Sequence, residues 1–164
     1  MVKTVHIMYV TNSIEEVTDT TFLGLELDNM SWKNHVGKIL PKLSRACYTI
    51  RTMYPISSLN TLQMIYFVYF HSILNYGIIF WGNSMESRKV FLAQKRIIRI
   101  MTWSKTRASC KPLFKSMGIL TLTSQYIMSL MKFVLQNQER YTFNTEVHNI
   151  NTRNKLKLHK PINN

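Results

Sequence analysis

The sequence predicts a mainly α-helical chain, a helical bundle preceded by a short antiparallel β pair. Three observations lead there. Along residues 59–76 the apolar side chains recur at steps of three and four, the period of a helix with one buried face. Residues 88–101, plotted at about 100° per residue, divide into a basic arc and an apolar half. Alternating, β-branched runs are confined to the first 27 residues. With 164 residues, 46% of them hydrophobic, the chain can bury one modest core.

Residues 2–10 suit a strand, and residues 21–27 (TFLGLEL) a second; Asn12-Ser13 and Glu15-Glu16 between them read as a turn with a polar bend. Such an isolated pair is marginal in water and needs something to lie against, which hints at a longer protein upstream. Asp28, Asn29 and Ser31 are N-cap candidates for a helix in which Val36, Ile39, Leu43, Cys47 and Ile50 step at helical spacing. Pro41 conflicts with a continuous helix there, because an interior proline costs about 3 kcal/mol; a kink or fresh start is expected near Leu40.

Tyr54-Pro55 closes that element, and Ser57 or Ser58 caps the next. In the central helix, Leu62, Ile65, Tyr66, Tyr69, Ile73 and Tyr76 form the apolar face, widened by Val68, Phe70 and Leu74. Residues 62–81 have the length of a membrane span, but Gln63, His71, Ser72 and Asn75 favour a helix buried in a soluble domain. A turn at Gly82-Asn83-Ser84 leads to the amphipathic basic helix. Residues 102–109 read as a loop, and Lys111-Pro112-Leu113-Phe114 as a short helix ended by Gly118. A last helix follows over residues 124–137, with Ile127, Leu130, Met131, Val134 and Leu135 on its inner face. The expected organisation is residues 1–30 as strands, 31–137 as the helical domain and 138–164 as a basic, polar, flexible tail.

The net charge is +13, from 21 Lys and Arg against 8 Asp and Glu. Such a balance points to a polyanion, nucleic acid or an acidic membrane, rather than a neutral small molecule. Arg88, Lys89, Lys95, Arg96 and Arg99 share one helix face opposite Val90, Phe91, Ala93, Ile97, Ile98, Ile100 and Met101, with Leu92 alone on the wrong side. That basic face is the candidate phosphate-contacting surface; the plain alternative is an ordinary solvated face. Tyr66, Tyr69, Tyr76, Phe80 and Trp81 are able to stack on bases, though helical spacing inside an apolar run favours core packing. His71 reads as a hydrogen-bonded core histidine. Cys47 and Cys110, the only cysteines, lack a C-x-x-C partner and read as packing residues in a reducing, intracellular setting. No secretion signal is evident.

The segments FLGLELDNMSWKNHV, KLSRACYTIR, FHSILNYGIIFWGNS, FLAQKRIIRIMTWSKTRASCKPLFKSMGIL and HNINTRNKLKLHKP occur in this order from Phe22 onward. Together they resemble the C-terminal part of a non-LTR retrotransposon reverse transcriptase of the jockey type. The most specific pieces are Tyr76-Gly77 through Trp81-Gly82, and Gln94-Lys95-Arg96 with Arg99. The resemblance implies that residues 1–27 are the last strands of a palm, and that Trp32 onward is a helical thumb with a C-terminal extension. It implies a parent activity of RNA-directed DNA synthesis, dependent on Mg²⁺, and makes RNA or an RNA–DNA duplex the expected partner, with the missing palm and fingers as protein partners.

His148, Arg153, Lys155, Lys157 and Lys160 match the family's basic tail and are possible further contacts. In one respect the sequence departs from the family: polymerase chemistry needs clustered carboxylates for two metal ions, and Asp19 and Asp28 are the only aspartates and are not adjacent. No catalytic residue or cofactor is therefore assigned, and the chain is expected to be a fragment that does not polymerise DNA. Membrane or protein binding through an exposed apolar 66–81 surface is the alternative function, and a non-functional relic the third.

Overall fold

A computed structural model of the chain describes residues 7–9, 12–14, 17–29, 31–148 and 151–159. Helices dominate it, and they follow two short antiparallel strand pairs. β1 (Ile7–Tyr9) pairs with β2 (Asn12–Ile14), and β3 (Asp19–Phe22) with β4 (Leu25–Asp28), as separate sheets. The expected pairing of residues 2–10 with 21–27 is thus corrected. Residues 21–27 are not one strand but a hairpin, because Leu23 and Gly24 both take positive φ (48° and 78°), as a two-residue type I′ turn requires. Residues 2–6 and 10 of the expected first strand lie outside the described residues.

Asp28 then starts α1 (Lys33–Met53). Its two carboxylate oxygens accept from the backbone N–H of Trp32 (2.6 Å) and Asn34 (2.9 Å), covering donors that a helix start leaves free. These bonds hold the carboxyl below its ordinary range. α1 runs unbroken through Pro41, against the expected restart. Pro41 and Gly37 both lie on the exposed side, so the Gly37 carbonyl that loses its partner remains open to water. The inner face, Val36, Ile39, Leu43, Cys47 and Ile50, is buried as the spacing predicts, and it packs along α5 (Ser87–Met101).

Ser58 caps α2 (Leu59–Ile65), its hydroxyl accepting from Thr61 N–H. The helix continues as a π turn over Tyr66–His71 and as α3 (Ser72–Asn75). The wider π turn keeps a four-residue step in line, and Leu62, Tyr66, Phe70 and Leu74 form the buried row. Tyr69 and Val68, expected on the buried face, are exposed for the same reason; Tyr76, also expected there, is exposed past the end of α3 in extended backbone. The chain breaks at Tyr76, turns through Gly77 (φ 60°) and re-enters α4 (Ile78–Trp81).

Gly77 is where the β3–β4 hairpin seats: a Cβ there would come within 2.7 Å of Leu25 Cδ2. The Tyr76 hydroxyl donates to the Leu23 carbonyl, and Trp81 Nε1 donates to the Tyr76 carbonyl (2.9 Å). Tyr76-Gly77 and Trp81-Gly82 therefore serve packing. Trp81 is fully buried, and Gly82 admits the Tyr126 ring of α7 (Leu122–Gln136) where a Cβ would collide.

α6 (Lys111–Ser116) ends at Gly118 (φ 62°). Among α7 residues only Leu122 is buried; Ile127, Met131 and Leu135, expected to face inward, are exposed. The periodicity is real, but none of the described elements covers that face. Residues 138–148 and 151–159 form a small turn of their own: the Asn144 and Thr145 N–H groups that open α8 (Asn144–Val147) donate to the Lys157 and Lys155 carbonyls, and Phe143 is bridged to Leu158. Among the described residues no helix is long and apolar enough to cross a membrane.

Candidate nucleic-acid interface

α1 and α5 lie side by side with the same polarity. Their N-terminal halves share a cleft, and Tyr54 and Trp103, which follow their C-terminal ends, stack on each other with centroids 4.6 Å apart and planes 12° apart. This arrangement divides the basic face of α5 in two. Lys89 lies in the N-terminal cleft among Asp19, Glu26 and Glu86, and pairs with Glu86 at 2.5 Å. Arg88, one residue before, is exposed. Lys33 and Lys38 line the same cleft, so this end is of mixed charge.

Arg96 and Arg99 lie at the other end, in a groove of about 810 Å³. Arg51 from the last turn of α1 and Lys105 from the following loop join them, and no carboxylate lines the groove among the described residues. Two helix C-termini open here, each worth roughly −0.5 of a charge. Four cations outweigh that, so the groove is strongly positive. Lys95, also on the predicted face, covers the Phe91 ring instead, 4.3 Å from its centroid. Arg99 spends one of its donors on the Ala108 carbonyl (3.0 Å), which ties the loop over residues 102–109 back onto α5.

The loop itself leaves α5 by a tight motif. Ser104 N–H donates to Arg99 O and Trp103 N–H to Ile100 O, the bond pair of a Schellman ending, with Trp103 in the left-handed position (φ 49°). Gly118 fills the same position after α6, with Ile119 N–H to Phe114 O and Gly118 N–H to Lys115 O. Arg51, Trp103 and Lys105 are absent from the predicted face. A charged residue in a last helical turn was visible for Arg51, but a Trp in a glycine position gives no sequence signal.

The neighbouring sequence-predicted residues are placed as follows. Gln94, inside the Gln-Lys-Arg motif, is fully buried: its amide donates to Tyr66 Oη (3.1 Å) and Leu120 O (2.9 Å) and accepts from Leu122 N–H (2.8 Å). Burial pushes the Tyr66 phenol up to about 12. Of the candidate stacking aromatics, Tyr66 and Trp81 are core; Tyr69, Tyr76 and Phe80 are exposed but do not line the groove. His71 is half-buried beside Tyr66 and Phe67, its pKa lowered by burial, and its Nδ1 has no hydrogen-bond partner among the described residues, contrary to the hydrogen-bonded reading.

Cys47 and Cys110 are buried, and burial pushes the Cys47 thiol up to about 11. His148, Arg153, Lys155 and Lys157 are exposed on the C-terminal turn, away from the groove lining, while Lys160 lies outside the described residues.

Among the described residues the carboxylates do not fit a two-metal polymerase centre. Asp19 faces Asp28 across the hairpin, but both Asp28 oxygens are engaged at the start of α1. Among the described residues no three His, Cys, Asp or Glu side chains converge on a metal position. Compared with known protein families, curated proteins and solved structures, the chain matches none.

Proposed function

We propose that this chain is the nucleic-acid-holding part of a jockey-like reverse transcriptase, spanning the last palm strands, the thumb and the C-terminal extension, and that it binds RNA–DNA duplex with little regard to sequence. The observation that carries this reading is the carboxylate-free groove of Arg51, Arg96, Arg99 and Lys105. Guanidinium and ammonium groups from two helix ends and a loop suit a run of phosphates, and nothing in the lining offers a fixed pattern for reading bases. In this reading the chain's part is to hold the duplex: Asp19 and Asp28 pair across the hairpin, but both Asp28 oxygens are taken up by the N–H groups that start α1.

The test is binding of an RNA–DNA hybrid across a salt series, with circular dichroism on the same samples. Arg51→Glu, Arg96→Glu and Lys105→Glu combined are expected to weaken binding and to flatten the salt slope by roughly 0.9 for each phosphate no longer neutralised. Unchanged affinity in a folded triple variant would sink the reading.

The second reading, docking on another protein or on a membrane, draws on the exposed apolar side chains Phe67, Val68 and Tyr69 of the π turn with Tyr76 and Phe80. It predicts association that persists in high salt, where groove binding fades.

A further inference from the structure

We propose that the outer face of Trp103 is a stacking platform for one unpaired base at the edge of a bound duplex, so that the groove takes a duplex–single-strand junction in preference to a blunt end. This rests on the reading of the groove as a phosphate-binding site. Trp103 lines the same groove as Arg51, Arg96, Arg99 and Lys105. One indole face lies on Tyr54, and the side chain is still 69% exposed. A bare indole in water beside a row of cations is the arrangement that single-strand binders use, cations on the backbone and an aromatic plate under the base. The backbone helps to hold the plate: Trp103 occupies the left-handed position of the α5 ending, fixed by the two turn hydrogen bonds, and its ring stacks on Tyr54. Tyr54 in turn braces the ring, so little freedom is lost when a base arrives.

The chain supplies its own reporter. Of its three tryptophans, Trp32 and Trp81 are buried and Trp103 alone is exposed. The experiment compares the full chain binding three RNA–DNA hybrids: blunt, with a short single-stranded overhang, and with an overhang of equal length lacking its bases. The natural overhang is expected to bind about tenfold more tightly than the blunt hybrid and to quench the exposed tryptophan fluorescence. The base-free overhang, which carries the same phosphates, should give neither effect. Trp103→Phe is expected to keep most of the overhang preference, and Trp103→Gly, which suits the left-handed backbone and removes the ring, to bring the overhang-to-blunt ratio to about one.

Equal binding of blunt and overhang hybrids without quenching would overturn the platform while leaving the duplex reading in place. An equal gain from the base-free overhang would overturn it too, assigning the effect to charge. Failure of all three hybrids to bind would overturn both readings.

Discussion

Gln94 shows how one polar side chain can decide a core. Its amide meets the Tyr66 phenol from the π turn and the Leu120 carbonyl and Leu122 N–H from the segment that opens α7, so truncation leaves the buried Tyr66 hydroxyl and Leu122 N–H without that partner. Gln94→Ala is expected to cost about 2–4 kcal/mol in urea unfolding, the sum of a cavity and missing hydrogen bonds. A loss under about 0.5 kcal/mol would mean that water replaces the amide. The histidines set a pH dependence. Burial lowers the pKa of both His35 and His71 below the ordinary 6.5. The unfolded chain therefore binds more protons as pH falls past 6.5, and the stability present above that point is lost on acidification. The urea midpoint is expected to drop between about pH 7.5 and about pH 5, the range that brackets histidine titration. His71→Phe, which suits the surrounding rings, should shrink that drop. An identical drop in the variant would remove His71 from the account.

Two glycines at the scale of elements should respond in opposite directions. Gly77 holds φ 60° between α3 and α4, and a Cβ would press on Leu25. Gly77→Ala is expected to destabilise by about 1–2 kcal/mol and to loosen the β3–β4 hairpin, seen as faster amide exchange at Leu25. Gly37 stands on the exposed side of α1 with nothing near its Cβ, and Gly37→Ala should stabilise by about 0.5–1 kcal/mol in urea unfolding. α5 is likewise expected to act as two elements. Arg96→Glu should weaken hybrid binding several-fold, by roughly 1 kcal/mol or more, whereas Arg88→Glu should change it by less than half as much. Equal effects along the helix would restore the continuous basic face that periodicity suggested.

At the scale of the molecule, the cationic groove and the uncovered apolar face of α7 are separate surfaces. The groove gathers cations at one end of the α1–α5 pair, while Ile127, Met131 and Leu135 line an uncovered face of α7. Changing those three to Ser is expected to leave folding stability within about 0.5 kcal/mol per site, since little burial is removed. The same variant should stay monomeric to higher concentration in light scattering, because a large exposed apolar face promotes association. A large loss of stability would instead show that this face is packed in solution.

What the sequence determined by itself is local. Helical periodicity, the Asp28 and Ser58 caps, the stop at Gly118 and the two-sided character of α5 are all set by neighbours within about one or two turns. Even there, the π turn moved Val68 and Tyr69 outward, since its wider pitch changes which residues share a face. Only the tertiary structure decided that Arg51 and Lys105 join Arg96 and Arg99, and that Trp103 comes to rest on Tyr54. Arg51 and Tyr54 are far in the chain from Arg96, Arg99 and Trp103, and they meet because α1 lies along α5 with the same polarity. That packing depends on the buried rows of both helices at once, a non-local condition that no window of sequence contains.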